Sequence, residues 1–248
     1  MVALIPFAVL FFRDRKARTR WLRAALRRGA KLWLGFHEVL GILEVRVDDR
    51  RDGKQLSNDD PPTPILVIAN HPSLIDVLLI TATLPNLCCV LKGALHYNPL
   101  FTTLIRYLDY LPNSDPERML AEGNERLLAG EKLLIFPEGT RTEPGQPLQF
   151  RMGAAELAAR SAAMVLPVTI HTNSPFLSKG VPWYQWPSGK LCYRLELGPM
   201  LPPDSAASGT STSSSAADKI SRRQARRAIN QVWRNHFAQR LAARHVGN

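Results

Sequence analysis

The feature that most constrains this chain is a series of short apolar runs, none of which contains a charged residue. They read PILVIA, LCCVL, LLIF and VLPVTI, and they occupy residues 64–69, 87–91, 133–136 and 165–170. Continuous apolar runs of this length are typical of strands that are buried on both faces of a parallel sheet. Helical segments separate them, over residues 77–84, 114–130 and 153–163. This alternation predicts an α/β fold, in which helices flank a largely parallel central sheet.

Two other segments alternate apolar and polar residues, which is typical of strands with one buried face. Leu43–Asp48 is the first, and Leu191–Leu197 is the second, which we place at the edge of the sheet. Between the core strands, Ser114 is predicted to cap a helix that has Pro116 in its first turn.

The first twelve residues form an apolar run that ends at Arg13. A helix of this length is roughly 18 Å long, whereas the hydrocarbon core of a bilayer is about 30 Å thick, so the run is too short to span it. The basic residues follow the run instead of preceding it, which is unlike a signal peptide and would hold the downstream chain on the cytoplasmic side. We therefore predict a monotopic or peripheral association with the cytoplasmic face of the membrane. The alternative is that the run is the end of a longer helix.

Two later segments carry aromatic residues in patterns that suit a membrane interface. Trp21–Leu43 has apolar residues at helical spacing, and the basic side chains of its other face are Arg20, Arg23, Arg27, Arg28 and Lys31. Asn173–Pro187 contains four aromatic residues, which could lie at headgroup level. The alternatives are a helix packed on the domain with a solvated basic face, and an ordinary packed loop.

The distribution of charge is more informative than the net charge of +11. Residues 1–31 carry a net charge of +8, residues 219–248 carry another +8, and the remaining residues therefore carry −5. An anionic membrane surface is a suitable partner for basic segments at the ends of a chain. A nucleic-acid enzyme would more often line the groove of its core with basic residues, so we expect no nucleic-acid partner.

The composition along the chain divides it into four parts. We predict a membrane-associating helical region over residues 1–42 and an α/β domain over residues 43–201. Residues 202–218 are rich in Ser and Ala and almost uncharged, which predicts a flexible linker. Residues 219–248 form a basic amphipathic helix, which either docks on the domain or lies on lipid.

The first candidate for chemistry is the segment NHPSLID, which follows the apolar run 64–69. His71 would then lie at the carboxyl end of a strand, where open α/β sheets bind their ligands. Asp76 comes five residues later, in the first turn of the next helix. A tight turn can bring its carboxylate to the imidazole, so that one ring nitrogen is held and the other can accept a proton. We predict that His71 and Asp76 are the catalytic pair.

The second candidate is the segment FPEGTRT, which also follows an apolar run. It offers backbone donors, hydroxyl groups and a guanidinium that could bind a phosphate. The predicted substrate-binding residues are Glu138, Gly139, Thr140 and Arg141. The sequence contains no GxSxG, GxxxxGK[ST], HExxH or GxGxxG motif. We therefore expect neither a metal nor another cofactor.

These two segments resemble the motifs of a known family, the glycerolipid acyltransferases that include 1-acyl-sn-glycerol-3-phosphate acyltransferase. HPSLID is similar to the family's H-x-x-x-x-D motif, and FPEGTR, about 60 residues later, is similar to its F-P-E-G-T-R motif. The resemblance covers residues 35–200. It implies transfer of a fatty acyl group from acyl-CoA or acyl-carrier protein to the hydroxyl of a lysoglycerolipid, with His71 as general base and Asp76 as its partner.

The resemblance implies 1-acyl-sn-glycerol-3-phosphate as the acceptor and phosphatidic acid as the product. The sequence departs from the family where an arginine usually helps to hold the phosphate, since Asn113 stands at that position. Arg151 is a cation that could replace the missing charge. The alternatives are the same chemistry on a different lysolipid or hydroxylated lipid, or a lipid-binding module without catalysis.

Overall fold

A computed structural model describes residues 4–51, 64–93, 99–143, 146–201 and 216–242. Seven helices are found in these ranges: α1 (Leu4–Phe11), α2 (Arg15–Val39), α3 (Asp76–Thr83), α4 (Pro99–Leu108), α5 (Pro116–Leu128), α6 (Met152–Ser161) and α7 (Ala216–Ala242). Seven strands are found with them: β1 (Leu43–Asp49), β2 (Ile65–Ala69), β3 (Leu87–Leu91), β4 (Leu111–Pro112), β5 (Lys132–Ile135), β6 (Met164–Thr172) and β7 (Leu191–Leu197). Most of the predicted linker lies outside the described residues.

The strands form one sheet in the order β1-β7-β6-β2-β5-β3-β4. All neighbouring strands are parallel except β6 and β7, which are antiparallel. Every residue of β2 is buried, because helices cover both faces of the centre of the sheet. The predicted α/β fold with a largely parallel sheet and flanking helices is therefore confirmed. Strand β7 was expected at the edge, but β1 pairs with it and takes the edge position.

The antiparallel step at β6 and β7 determines which loops lie together. The carboxyl ends of β2, β5 and β6 lie at the same edge of the sheet as the amino ends of β7 and β1. We call this the catalytic edge. The loop after β2 carries NHPSLID, and the loop after β5 carries FPEGTRT. Both candidate segments thus emerge side by side from adjacent parallel strands.

Helix α2 is held on the domain by two of its arginines. The side chain of Arg23 is buried, and it donates to the carbonyl of Leu108 at 3.0 Å and to Glu131 at 2.9 Å. Arg27 donates to the carbonyls of Ala82 and Thr83 at the end of α3, where a cation is favoured by the helix dipole. The sequence placed both residues on the basic face of α2, opposite its apolar face. They contact the domain instead, because unpaired carbonyls at element ends attract guanidinium groups.

Two helix starts differ from the sequence-based boundaries because of capping. Asp14 caps α2 and accepts hydrogen bonds from the backbone N–H groups of Lys16 and Ala17, so the helix begins before Trp21. These bonds hold the pKa of Asp14 below its usual value. Asp115 caps α5 instead of the predicted Ser114, since its carboxylate accepts from the N–H of Arg118.

Both terminal helices contact the rest of the protein. Helix α1 packs on the first half of α2, where the rings of Phe7 and Trp21 are 5.8 Å apart. Helix α7 buries Ile229, Trp233 and Phe237, and its Arg226 pairs with Glu156 of α6. Among the helices that the structure describes, none combines the length and the apolar composition that a bilayer crossing requires.

Candidate active site

His71 and Asp76 form a hydrogen-bonded pair in the loop after β2, which we call the β2 loop (Asn70–Asp76). The imidazole Nδ1 and the carboxylate Oδ2 are 2.8 Å apart. The His71 side chain is 17% exposed, whereas that of Asp76 is fully buried. The imidazole also stacks on the ring of Phe136, with 4.2 Å between centroids. The pair therefore presents one edge of the histidine to solvent and keeps its partner inside the protein.

The environment of Asp76 fixes the orientation of the imidazole. Burial raises the pKa of Asp76, and the hydrogen bonds from His71 and from the backbone N–H of Ser73 at 2.7 Å oppose that rise. With the ring proton on Nδ1, the imidazole donates to Asp76, and Nε2 keeps a lone pair. The arrangement is that of a general base with its orienting carboxylate.

Three side chains that the sequence did not single out in these roles hold the β2 loop in place. The amide of Asn70 bridges to the backbone of Ile170 in β6, donating at 2.9 Å and accepting at 2.7 Å. The hydroxyl of Tyr193 donates to Ser73 Oγ at 3.2 Å. Ser73 Oγ in turn donates to the carbonyl of Phe176 at 3.4 Å. These contacts join residues far apart in sequence, so only the folded chain reveals them.

The loop after β5, which we call the β5 loop (Phe136–Thr142), has both buried and exposed side chains. Glu138 is buried and accepts from the backbone N–H of His71 at 2.9 Å and from the Thr142 hydroxyl. Burial raises the pKa of Glu138, and both hydrogen bonds oppose that rise. Its carboxylate thus positions the backbone of His71. Thr140, by contrast, is exposed.

Arg141 belongs to the β5 loop, and Arg151, directly before α6, packs against it. Arg141 donates from Nη1 to the carbonyl of Leu177 at 2.7 Å, which ties the loop to the segment after β6. Arg151 reaches back over Gly139, where a Cβ would come within 2.7 Å of its Nε atom. Gly139 also has a φ of +69°, which favours glycine, and any larger residue there would displace the Arg151 side chain. The β5 loop is therefore bordered by two guanidinium groups, its own Arg141 and the neighbouring Arg151.

Asn113, at the position where a phosphate-binding arginine was expected, has a structural use. It follows β4, and its Oδ1 accepts from the N–H of Gly93 at 3.0 Å. Its own N–H donates to the carbonyl of Leu91 at 2.8 Å. The side chain joins two loops at the catalytic edge and adds no charge there.

The described residues contain no group of three or more His, Cys, Asp and Glu side chains that could hold a metal ion. The chemistry that the described site can perform is proton transfer at Nε2 of His71, beside a loop that carries Arg141 and is covered by Arg151. A hydroxyl bound at the imidazole could be deprotonated, and a bound anion could be held by the β5 loop.

Comparison with known proteins agrees with this geometry. A family model described as "Acyltransferase" matches residues 51–171, which include both loops. The chain is 30% identical over 127 residues to mouse 1-acyl-sn-glycerol-3-phosphate acyltransferase alpha, covering 48% of this chain and 45% of that protein. It is 29% identical over 133 residues to the 1-acyl-sn-glycerol-3-phosphate acyltransferase of Pseudomonas aeruginosa, covering 51% of each. These matches support the glycerolipid acyltransferase family for this chain.

A solved structure has the same fold as this chain. The crystal structure of the 1-acyl-sn-glycerophosphate (LPA) acyltransferase PlsC from Thermotoga maritima aligns with a TM-score of 0.62 and 24% identity. The alignment covers 93% of this chain and 87% of that one. The chain spans about half the length of the curated relatives that it matches.

The structure brings together the residues that the sequence nominated for the site, but it gives them different surroundings. His71 and Asp76 are in contact, as the spacing of the motif predicts. Glu138 contacts the backbone of His71 and faces away from solvent, so it is placed to support the site. Gly139 and Arg141 lie where a ligand could approach, and their roles in binding stay predictions.

Proposed function

We propose that this protein is an O-acyltransferase that moves a fatty acyl group from acyl-CoA or acyl-carrier protein to the hydroxyl of a lysoglycerolipid. The observation that carries the proposal is the His71–Asp76 pair, whose imidazole is partly exposed at the catalytic edge while its carboxylate is buried. The acyltransferase family model that matches residues 51–171 supports the class of reaction. The hydrogen-bonded pair argues against a lipid-binding module without catalysis.

The reaction needs no covalent intermediate on the protein. The acceptor hydroxyl oxygen attacks the thioester carbonyl carbon while its proton passes to Nε2 of His71. The tetrahedral species collapses, the carbon–sulfur bond breaks and an ester is formed. The leaving thiolate takes the proton from the imidazolium, which returns His71 to its neutral form. Asp76 stabilises the transient positive charge on the ring.

The acceptor we propose is 1-acyl-sn-glycerol-3-phosphate, which gives phosphatidic acid. Arg141 and Arg151 both approach the β5 loop, so a phosphate there would meet two guanidinium groups beside the positive-φ turn at Gly139. This second arginine supports a phosphate-bearing acceptor although Asn113 brings no charge. A zwitterionic or neutral lysolipid is the second candidate, and the uncharged Asn113 is the observation that favours it.

The membrane association we propose is peripheral or monotopic, on the cytoplasmic face. It rests on the basic amino-terminal segment and on the large apolar side chains that α1 leaves exposed, such as Leu10 and Phe11. Because each Lys or Arg near an anionic surface contributes about 1 kcal/mol, binding to vesicles should need anionic lipid and weaken with salt. Substitution of Leu10 and Phe11 by Ser tests the anchor without removing Arg23 and Arg27, which α2 needs for docking.

An acyl-transfer assay with the full chain tests the function. Purified protein would be given acyl-CoA or acyl-carrier protein with 1-acyl-glycerol-3-phosphate, lysophosphatidylcholine or monoacylglycerol, and the lipid product identified by mass spectrometry. We expect phosphatidic acid as the main product. Absence of any acylated lipid with every donor and acceptor would refute the proposal. A larger yield from a neutral or zwitterionic lysolipid would show that 1-acyl-glycerol-3-phosphate is not the preferred acceptor.

A further inference from the structure

An aromatic surface lies beside the active site, in the loop between β6 and β7, which we call the aromatic loop (residues 173–190). Trp183 and Tyr184 are 75% and 72% exposed, and Trp186 is 63% exposed. Three large aromatic side chains within four positions form an exposed apolar cluster of the kind that marks interaction sites. Trp and Tyr combine an apolar ring with a polar group, which suits the level of lipid headgroups.

The aromatic loop is in direct contact with the β2 loop. The rings of Trp186 and Phe176 meet edge to face, with centroids 5.2 Å apart. The carbonyl of Phe176 accepts from Ser73, and the next carbonyl, of Leu177, accepts from the N–H of Leu74 at 3.2 Å. The side chain of Leu74 is itself exposed. Apolar groups therefore continue from the aromatic loop to the residues that follow His71.

The topology of the sheet brings a second exposed apolar segment to the same edge. The register pairs Leu43, at the start of β1, with Leu191, at the start of β7. The end of α2 leads into β1, and the aromatic loop leads into β7, so these two segments arrive side by side. The last turns of α2 leave Phe36, Val39 and Leu40 exposed. Apolar side chains from two separate segments thus border the catalytic edge.

The apolar face of α1 is at the other end of α2. Helix α1 packs around Trp21, in the second turn of α2. From its first residue to its last, α2 has 25 residues and is therefore roughly 37 Å long. If α1 alone contacted lipid, the catalytic edge could face either toward the membrane or away from it. A second contact at that edge would fix it.

We propose that the aromatic loop is a second membrane contact, in which Trp183, Tyr184 and Trp186 enter the headgroup region and turn the catalytic edge toward the lipid surface. The identity of the acceptor as a membrane lipid rests on the proposed function. The two lysines of the loop already have partners, since Lys179 pairs with Glu143 and Lys190 with Glu44. The contribution of the aromatic loop is therefore apolar and insensitive to salt, unlike that of the basic amino-terminal segment.

Binding to vesicles tests this contact directly. The double variant Trp183→Ser/Tyr184→Ser would be compared with Leu128→Ser/Val232→Ser, which changes two exposed apolar residues away from the aromatic loop. We expect the affinity for phosphatidylcholine–phosphatidylglycerol vesicles to fall at least about tenfold for the first variant and to stay unchanged for the second. The loss should be equal at low and high salt. Brominated lipids should quench a fluorescence component that Trp183→Phe removes.

A kinetic experiment separates membrane contact from a role in the reaction. With acceptor embedded in vesicles, kcat/KM of Trp183→Ser/Tyr184→Ser should fall about tenfold, whereas a short-chain monomeric acceptor should be used at the wild-type rate. Unchanged vesicle affinity, equal losses with both acceptors, or a dimer that depends on Trp183 would overturn the inference. If the wild type transfers no acyl group to any acceptor, the proposed function fails, and the vesicle measurement still decides the membrane contact.

Discussion

The β2 loop and the β5 loop leave adjacent parallel strands at the same edge, yet the structure uses them differently. The β2 loop turns its polar groups inward, where Asp76, Ser73 and Asn70 each find partners within the protein. The β5 loop divides its residues, since Glu138 points in toward His71 while Thr140 is exposed. A single short loop can thus hold the site in place with one residue and leave another free to meet a ligand. Substitutions in the two loops should consequently affect different kinetic constants.

The largest effect is expected from His71→Ala in the β2 loop. Loss of the general base should lower kcat by about 10⁴-fold, at the upper end of what such catalysis contributes. The thermal unfolding temperature should change little, because the removed ring is partly exposed and packs mainly on Phe136. His236→Ala, on α7, serves as the matched control and should keep full activity. A His71→Ala enzyme with near-normal kcat would refute the mechanism.

Asp76→Asn should have the next largest effect. The base is retained, but the amide no longer favours the tautomer with the proton on Nδ1, so kcat should fall about 10²–10³-fold. The buried carboxylate, whose pKa burial raises, is removed at the same time. The free energy of unfolding, measured in urea at neutral pH, should therefore be largely retained although kcat falls. A proportional loss of both would mean that Asp76 serves the fold and not the histidine.

A change on the outward side of the β5 loop should affect binding. Arg141→Lys should raise KM for 1-acyl-glycerol-3-phosphate roughly tenfold, because lysine cannot reproduce bidentate contact with a phosphate. The KM for the acyl donor should change less than about twofold. Steady-state kinetics with a neutral lysolipid provide the comparison. Equal effects on every acceptor would show that the contact of Arg141 with Leu177 is its main role.

The smallest effect is expected from Glu138, the inward-pointing residue of the β5 loop, and it concerns stability. Burial raises the folded-state pKa of Glu138 above the usual 4.5, so the folded state binds more protons than the unfolded state between these two values. The stability contribution of this group is present below the unfolded pKa and is lost as pH rises through the folded pKa.

Glu138→Gln removes that titration while its amide oxygen can still accept from the N–H of His71. The variant should therefore become more stable relative to the wild type as the pH rises above 4.5, the usual pKa of a glutamate. Denaturant unfolding at several pH values would check this trend, with Glu143→Gln as an exposed control. A pH-independent difference would show that the Glu138 carboxylate titrates normally.

The sequence alone was enough to predict the class of fold and the contact between His71 and Asp76. Uninterrupted apolar runs predicted the buried strands, and they could do so because a strand covered on both faces has no polar side to obscure the pattern. His71 and Asp76 are five residues apart, so local geometry alone could bring them together. Local patterns of this kind are readable without a structure.

Only the tertiary structure decided the surroundings of that pair. The position of β7, the burial of Arg23 and the bridges from Asn70 and Tyr193 depend on contacts between residues far apart in the chain. A basic residue at helical spacing looks the same in sequence whether it faces water or a set of unpaired carbonyls. Which of these it meets is determined when the helix packs, because burial of a charge depends on partners that other elements supply.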